Sequence, residues 1–289
     1  MKTKIKAGII MFIISILFPA SAFPLLEQIL QIPPPEPQYQ LDLDGETLKY
    51  EVKWSRFRSA EAWVSAKKNG DHYQLKGYAH TIGFPRTLWR MDDWGETELT
   101  KNFTLVNYEL HTRETFTNLD INMTYDTKTK IATIKRLNLR NSKLTYKQIE
   151  LYQGFDASGL ACLVRALEWK PGQKRYFEFT DGAERYIILI SAGPVEKITV
   201  PAGTFDTIRL DPYLFRIPRK KAKEKPETLQ SIQAQQTWKK IAEYAQVWLA
   251  LSGTRPFVLV KGKAFIGEVS MELVEITHGA PPNIPFKSP

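Results

Sequence analysis

Lys49-Tyr50-Glu51-Val52-Lys53-Trp54 decides the fold class of this chain. In an extended backbone Tyr50, Val52 and Trp54 share one side and the three charges the other, the period-two pattern of a half-buried strand. The same alternation recurs at Tyr73/Leu75, Leu110/Thr112, Ile121/Met123/Tyr125 and Ile131/Thr133. Asn69-Gly70-Asp71 reads as a hairpin turn between the second and third strands, and Asp126 to Lys130 as a polar turn. Further strands are expected over 175–180, 185–191, 195–200, 204–211, 256–262 and 264–276. One segment breaks this rhythm. After Asp156, an N-cap residue, Leu160, Leu163, Val164 and Leu167 fall at helical spacing until Pro171-Gly172, which predicts a helix over 157–168. The expectation is a mainly β (β-rich α+β) domain, an antiparallel sandwich or partly open barrel with one packed helix.

The ends of the chain carry different signals. Lys2, Lys4 and Lys6 precede the apolar run Ala7–Phe18, and Ala20-Ser21-Ala22 supplies small residues for cleavage. That is the layout of a secretory signal peptide over 1–22. The run is shorter than the roughly 18–20 apolar residues that an anchor crossing the bilayer needs. Cleavage near Ala22 and a periplasmic location are therefore expected. Pro33-Pro34-Pro35 and Pro37 make 23–43 a Pro-rich tether, residues 44–276 form a single domain, and the proline-rich stretch 277–289 reads as a disordered tail.

Composition excludes several classes. Cys162 is the single cysteine, so no intramolecular disulfide forms, and its place in Leu160-Ala161-Cys162-Leu163-Val164 is that of a packing residue. The formal charge is +9, and loss of the three signal lysines leaves +6. This favours anionic material at a membrane surface, whereas export excludes nucleic acid as a partner. There is no nucleophile elbow and no phosphate-binding glycine loop, and the four histidines lack metal-ligand spacing. No cofactor and no metal are expected. Asp92, Asp93, Glu96 and Glu98 hold enough carboxylates for glycosidic hydrolysis, but the favoured reading is a charged turn beside Trp94-Gly95.

Two features bear on binding. Arg216, Arg219, Lys220, Lys221, Lys223 and Lys225 form a basic run that opens a basic and Gln-rich insertion, 216–243. Such a run contacts anionic headgroups or stands as a solvated loop. Seven tryptophans and twelve tyrosines are many for 289 residues, and they either fill a β core or line an apolar cavity. Trp54, Trp63, Trp89 and Trp248 are the candidate lining.

The order of motifs resembles an exported bacterial family, domain of unknown function 3108. The similarity is carried by Gly45–Trp54, by Leu163-Val164-Arg165-Ala166-Leu167 with the Pro171-Gly172 turn, and by Val200-Pro201-Ala202-Gly203-Thr204-Phe205-Asp206-Thr207. Val247-Trp248-Leu249 and Phe265-Ile266-Gly267-Glu268-Val269 complete it, so the resemblance spans about 45–276. It implies an envelope protein of Gram-negative bacteria, comparable in fold to carriers that hold acyl chains under a curved antiparallel sheet. Two features depart from the family pattern. Ala250-Leu251-Ser252-Gly253-Thr254 stands where acidic turn residues are usual, and 216–243 reads as an insertion. The Pro201–Phe205 motif has a structural explanation of its own, because Pro sets φ at a turn entry and Gly accepts φ > 0. It is read as setting strand register. The leading functional expectation is a non-enzymatic periplasmic binding module for lipid or amphiphilic envelope material. The alternatives are a factor that docks a protein partner in envelope assembly, through a sheet edge or 216–243, and a carbohydrate hydrolase.

Overall fold

A computed structural model describes residues 32–217, 245–263 and 267–279. Fourteen strands, all paired antiparallel, form one sheet in the order β8-β7-β6-β5-β4-β3-β2-β1-β14-β13-β12-β11-β10-β9. The chain runs from the middle out to one edge and then from the other edge back to the middle, where β1 (Glu46–Trp54) pairs with both β2 (Phe57–Asn69) and the last strand, β14 (Glu268–His278). On one side follow β3 (His72–Thr81), β4 (Asp92–Thr100), β5 (Leu105–Arg113), β6 (Asn118–Asp126), β7 (Ile131–Asn138) and β8 (Lys143–Glu150). On the other lie β13 (Phe257–Lys263), β12 (Ala245–Ala250), β11 (Gly203–Arg216), β10 (Arg185–Val200) and β9 (Lys174–Thr180). The twist inherent in L-residue strands curls a sheet this wide, and here it remains an open barrel. The edges β8 and β9 are not paired with each other; segment 151–156 leads from β8 to the helix, and a parallel bridge joins Asp156 to Thr180.

The core sits where the single long helix plugs the curl. That helix, α2 (Ala157–Ala166), buries Leu160, Cys162, Leu163 and Val164 against Leu75 and Leu99 from one half of the sheet and Phe177, Ile190, Ile208 and Leu249 from the other. The Asp156 carboxylate caps it, accepting the Gly159 N–H at 2.8 Å and the Thr97 hydroxyl at 3.1 Å. Gly159 has no room for a side chain, because a Cβ there would stand 2.4 Å from the Phe103 carbonyl oxygen. Cys162 is buried and free, and burial pushes its thiol up to about 12.

The observed elements differ from expectation in six places. The helix ends two residues early, at Ala166. Leu167 turns to extended backbone so that the Trp169 indole can donate to the Val164 carbonyl at 3.0 Å. A second helix, α1 (Gly83–Leu88), fills the β3–β4 connection. Strands expected over 185–191 and 195–200 are one strand, β10, which absorbs Gly193-Pro194 as a register shift. Asp92 to Glu98 is not a charged turn but the body of β4, paired along its length to β3 and from Trp94 onward to β5. The last residues of the expected tether are part of the core, with Leu41 and Leu43 buried and the Gln38 and Tyr39 N–H groups both donating to the Ala166 carbonyl. At the other end, Thr277 and His278 belong to β14 and not to a tail. Residues 1–31, 218–244, 264–266 and 280–289 lie outside the described residues, and with them Arg219, Lys220, Lys221, Lys223 and Lys225 and the start of the strand expected over 264–276.

Candidate functional site

Strand periodicity gives the sheet an inner face, against α2, and an outer face. On β10 to β13 the inner residues that face α2 are apolar, and α2 does not cover all of them. The uncovered part is a groove of about 270 Å³. Its helix side is Ala157, Leu160, Ala161 and Val164; its sheet side is Phe179 from β9, Ile188 and Ile190 from β10, Leu210 and Pro212 from β11, Val247 from β12, and Phe257 and Val260 from β13. Ala157 is exposed, and Ala161, Ile188, Val247 and Val260 are only half-buried, so the groove is open to solvent along part of its length. Two alanines on the helix make the space: a larger side chain at 157 or 161 would occupy it.

The opposite side of α2 is anchored by charge. Arg165, 5% exposed, donates through Nη2 to both Glu46 carboxylate oxygens at 2.7 and 2.8 Å and to the Thr254 carbonyl at 2.7 Å. Its Nε reaches the Thr254 and Arg255 carbonyls, each at 3.1 Å. Arg255 returns the contact. Its Nε donates to the Arg165 carbonyl at 2.8 Å and its Nη2 to the Leu167 carbonyl at 3.0 Å, satisfying the otherwise orphaned C-terminal end of the helix. The Arg255 guanidinium lies 4.1 Å from the centre of the Tyr39 ring. Three separate stretches, around Glu46, Arg165 and Arg255, thus converge on one buried network that sets the height of α2 above the sheet.

None of the four candidate tryptophans lines the groove. Trp248 is on the outer face, between the inward-facing Val247 and Leu249, and its indole donates to Glu196 at 2.8 Å. Trp63 is also on the outer face, stacked on Tyr78 and His80 at 5.7 and 5.5 Å with the Lys49 ammonium over it. Trp54 ends β1, and Trp89 follows α1, 43% exposed. These positions place the four on three different parts of the surface and core. Strand parity separates Trp63 and Trp248 from the inner face.

The Pro201–Phe205 motif forms the tip of the long β10–β11 hairpin. Val200 pairs with Gly203, whose φ of +134° is open to glycine and strained for other residues. The hairpin bends over the outer face of β12 and β13, where Val200 is buried with Trp248, Ala250 and Leu259, and Ala202 and Phe205 pack on this second core. The Ala202 N–H donates to the Leu273 carbonyl at 3.2 Å. Thr204 shares a hydrogen bond with Thr199 across the hairpin at 2.9 Å. Beyond setting register, the motif locks the hairpin down. At the other end of β11 Arg216 pairs with Glu184 at 2.9 Å.

The carboxylates of β4 divide between the two faces of the sheet. Asp92 and Asp93 are consecutive strand residues and face opposite sides. Asp92 accepts both Arg86 nitrogens, at 2.9 and 2.8 Å, and Arg90 at 2.8 Å; these cations outweigh its burial and hold its carboxyl below the usual range. Asp93 points inward, accepts the Arg113 N–H at 2.9 Å, and is pushed up to about 6 by burial, with Glu114 and Asp92 adding to the rise. Glu96, Glu98 and Glu109 line a shallow polar groove on the outer face. There His72 and Asn107 hold Glu98 below its usual range. Among the described residues no group of His, Cys, Asp and Glu is arranged to hold a metal ion.

The groove residues were individually legible as apolar strand and helix positions. What no local pattern showed is that the helix covers only part of them. Comparison with solved structures places this fold beside a β-barrel-like protein of domain of unknown function DUF1849 from Brucella abortus, with 7% identity, a TM-score of 0.51, and coverage of 83% of this chain and 99% of that one. Weaker likenesses include an exported protein with a YmcC-like fold from Bacteroides fragilis, with 8% identity, a TM-score of 0.34, and coverage of 81% and 96%. Another is a candidate lipoprotein from Parabacteroides distasonis, with 11% identity, a TM-score of 0.34, and coverage of 84% and 97%. No curated protein matches the sequence. The model of the protein family of unknown function DUF3108 matches residues 49–274, which take in β2 to β13, α2 and its Arg165–Arg255 pair and the larger part of β1 and β14, and the chain belongs to that family.

Proposed function

We propose that this protein is an exported, non-enzymatic binding module of the bacterial envelope that holds an apolar chain, such as the acyl chain of a lipid, in the groove between α2 and β9–β13. The observation that carries the reading is the groove itself: about 270 Å³, open at one side and lined by twelve apolar residues. Empty apolar space open to water is unfavourable, and filling it with a chain removes that surface from solvent. The volume lies just below the range of small-molecule sites, about 300–1,000 Å³, which suits one slender chain better than a bulky ring system. The N-terminal signal layout supports export. The groove replaces the four tryptophans as the proposed contact surface.

The test is mass spectrometry of an organic extract from protein purified natively without detergent, paired with the variant Ala161→Trp, which fills the groove from the helix side. A stoichiometric lipid in the native protein and none in the folded variant supports the reading. A ligand-free native protein whose melting temperature does not move with added fatty acid or phospholipid sinks it. A docking factor working along a sheet edge is less favoured. The edge strand β8 carries Lys143 and Lys147, the kind of residue that discourages strand addition, and Lys147 is already engaged with the Ala183 carbonyl at 2.7 Å.

A further inference from the structure

In an antiparallel sheet alternate connections emerge at the same end, so the turns after β1, β3, β5 and β7 share one end of the open barrel. Those turns carry Phe57, Phe84, Leu88, Trp89 and Phe116, with exposures of 54, 67, 55, 43 and 74%. The opposite end, with the turns after β2, β4, β6 and β10, shows no comparable group among the described residues. Across 55–58, 82–91, 114–117 and 139–144 there are six Arg or Lys residues and one acid, Glu114. Asp92 neutralises part of this through Arg86 and Arg90, and Glu51 and Glu61 pair with Arg58, so the excess rests on Arg56, Arg140 and Lys143; Arg140 donates to the Thr115 and Glu114 carbonyls and has no acidic partner among the described residues.

The turns form a connected rim and not four separate loops. The Thr115 hydroxyl accepts the Arg90 N–H at 2.8 Å, and the Thr115 N–H donates back to the Arg90 carbonyl at 2.9 Å. Arg140 ties the β7–β8 turn to the same threonine, and the Ile82 N–H donates to the Ser59 carbonyl at 2.8 Å, which fixes α1 beside the start of β2. Trp89 and Phe116 are therefore held on neighbouring turns. Large aromatic and aliphatic side chains exposed together among arginines are costly in water and match the boundary between headgroups and acyl chains. The local excess of positive charge selects the sign of the headgroup.

We propose that this rim docks the protein on an anionic phospholipid surface, with Phe57, Phe84, Trp89 and Phe116 entering the interface and Arg56 and Arg140 meeting phosphates. The groove is close to that end. Val247 is the third residue of β12, Val260 stands three before the end of β13, and Phe179 is one before the end of β9. A docked protein would thus present the groove near the bilayer, but docking does not depend on the groove being occupied.

The test is vesicle co-sedimentation of the full chain at low salt. Phosphatidylcholine vesicles containing phosphatidylglycerol are compared with phosphatidylcholine alone, and the combined variant Phe84→Ser/Trp89→Ser/Phe116→Ser with wild type. Circular dichroism and melting temperature are measured on the same samples to show that the variant is folded. The expected result is binding to the anionic vesicles, at least tenfold weaker partitioning for the variant, and a marked loss at 0.5 M salt for both. Arg56→Gln/Arg140→Gln should weaken only the anionic binding. Equal binding to both vesicle types, no binding to either, or a folded triple variant that binds like wild type would each overturn the proposal. The triple variant should still carry any lipid found in the groove, so failure of docking and failure of the carrier reading are separable.

Discussion

Replacing Arg165 with Met removes the guanidinium at the centre of the helix anchor while keeping an unbranched apolar stem. Five hydrogen bonds of 2.7–3.1 Å disappear, and Glu46, 3% exposed, is left as a buried carboxylate with its cation gone. Breaking a buried ion pair from one side costs about 3–5 kcal/mol, mostly the uncompensated charge. The double variant Arg165→Met/Glu46→Gln removes that charge and leaves only the Thr254 and Arg255 carbonyls short of a donor. Thr254 is half-buried and within reach of water, so a residual cost of about 1–2 kcal/mol is expected. The assay is urea unfolding with linear extrapolation. For a slope of about 2 kcal/mol per molar, the single variant should lower the midpoint by about 1.5–2.5 M, and the double variant by less than half as much. If the double variant is no more stable than the single, the cost lies in lost packing and the charge reasoning is refuted. Because the same anchor sets α2 above the sheet, uptake of an apolar chain should fall with the single variant and return in part with the double.

Two more outcomes follow from particular residues. Asp93 has a folded-state pKa raised to about 6 from 3.8, so its contribution to stability is whole below about pH 3.8 and is eroded as pH rises to about 6. Asp93→Asn should therefore stabilise the protein by about 1–2 kcal/mol at pH 7, after allowing for its partial exposure, and change little near pH 4, as read from thermal melts across pH. A pH-independent difference would count against burial as the cause. Gly203→Ala places a Cβ at φ +134°, with Phe205 3.8 Å away as its nearest contact, so the cost is backbone strain and not a clash. A loss of about 1–3 kcal/mol is expected. Equal stability of variant and wild type would show that the hairpin tip relaxes.

Much of the architecture was legible residue by residue. The alternation at Tyr50/Val52/Trp54, the turn at Asn69-Gly70-Asp71, the capped helix after Asp156 and the buried Cys162 all follow from local periodicity and turn chemistry, which short-range sterics enforce. Where local signals misled, a long-range contact was responsible. Asp92 to Glu98 is polar enough to read as a turn, but β3 and β5 pair with it on both sides and make it a strand. Leu41 and Leu43 follow a proline-rich stretch, yet they are buried because α2 and the sheet offer them a place.

The candidate site was less accessible for the same reason. Sequence alone determined that the protein is a β-rich sheet with one apolar helix, that it carries the layout of an exported protein, and that it lacks the common catalytic motifs. These are matters of composition, spacing and period, which a single strand or helix expresses without its neighbours. Only the tertiary structure decided that Trp63 and Trp248 face outward, that Glu46, Arg165 and Arg255 meet under the helix, and that β10 to β13 keep an apolar strip uncovered. Which face of a strand is inner, and how much of it a helix covers, depend on the curl of the sheet and the height of the helix. Both are set by contacts between residues about 90 or more positions apart.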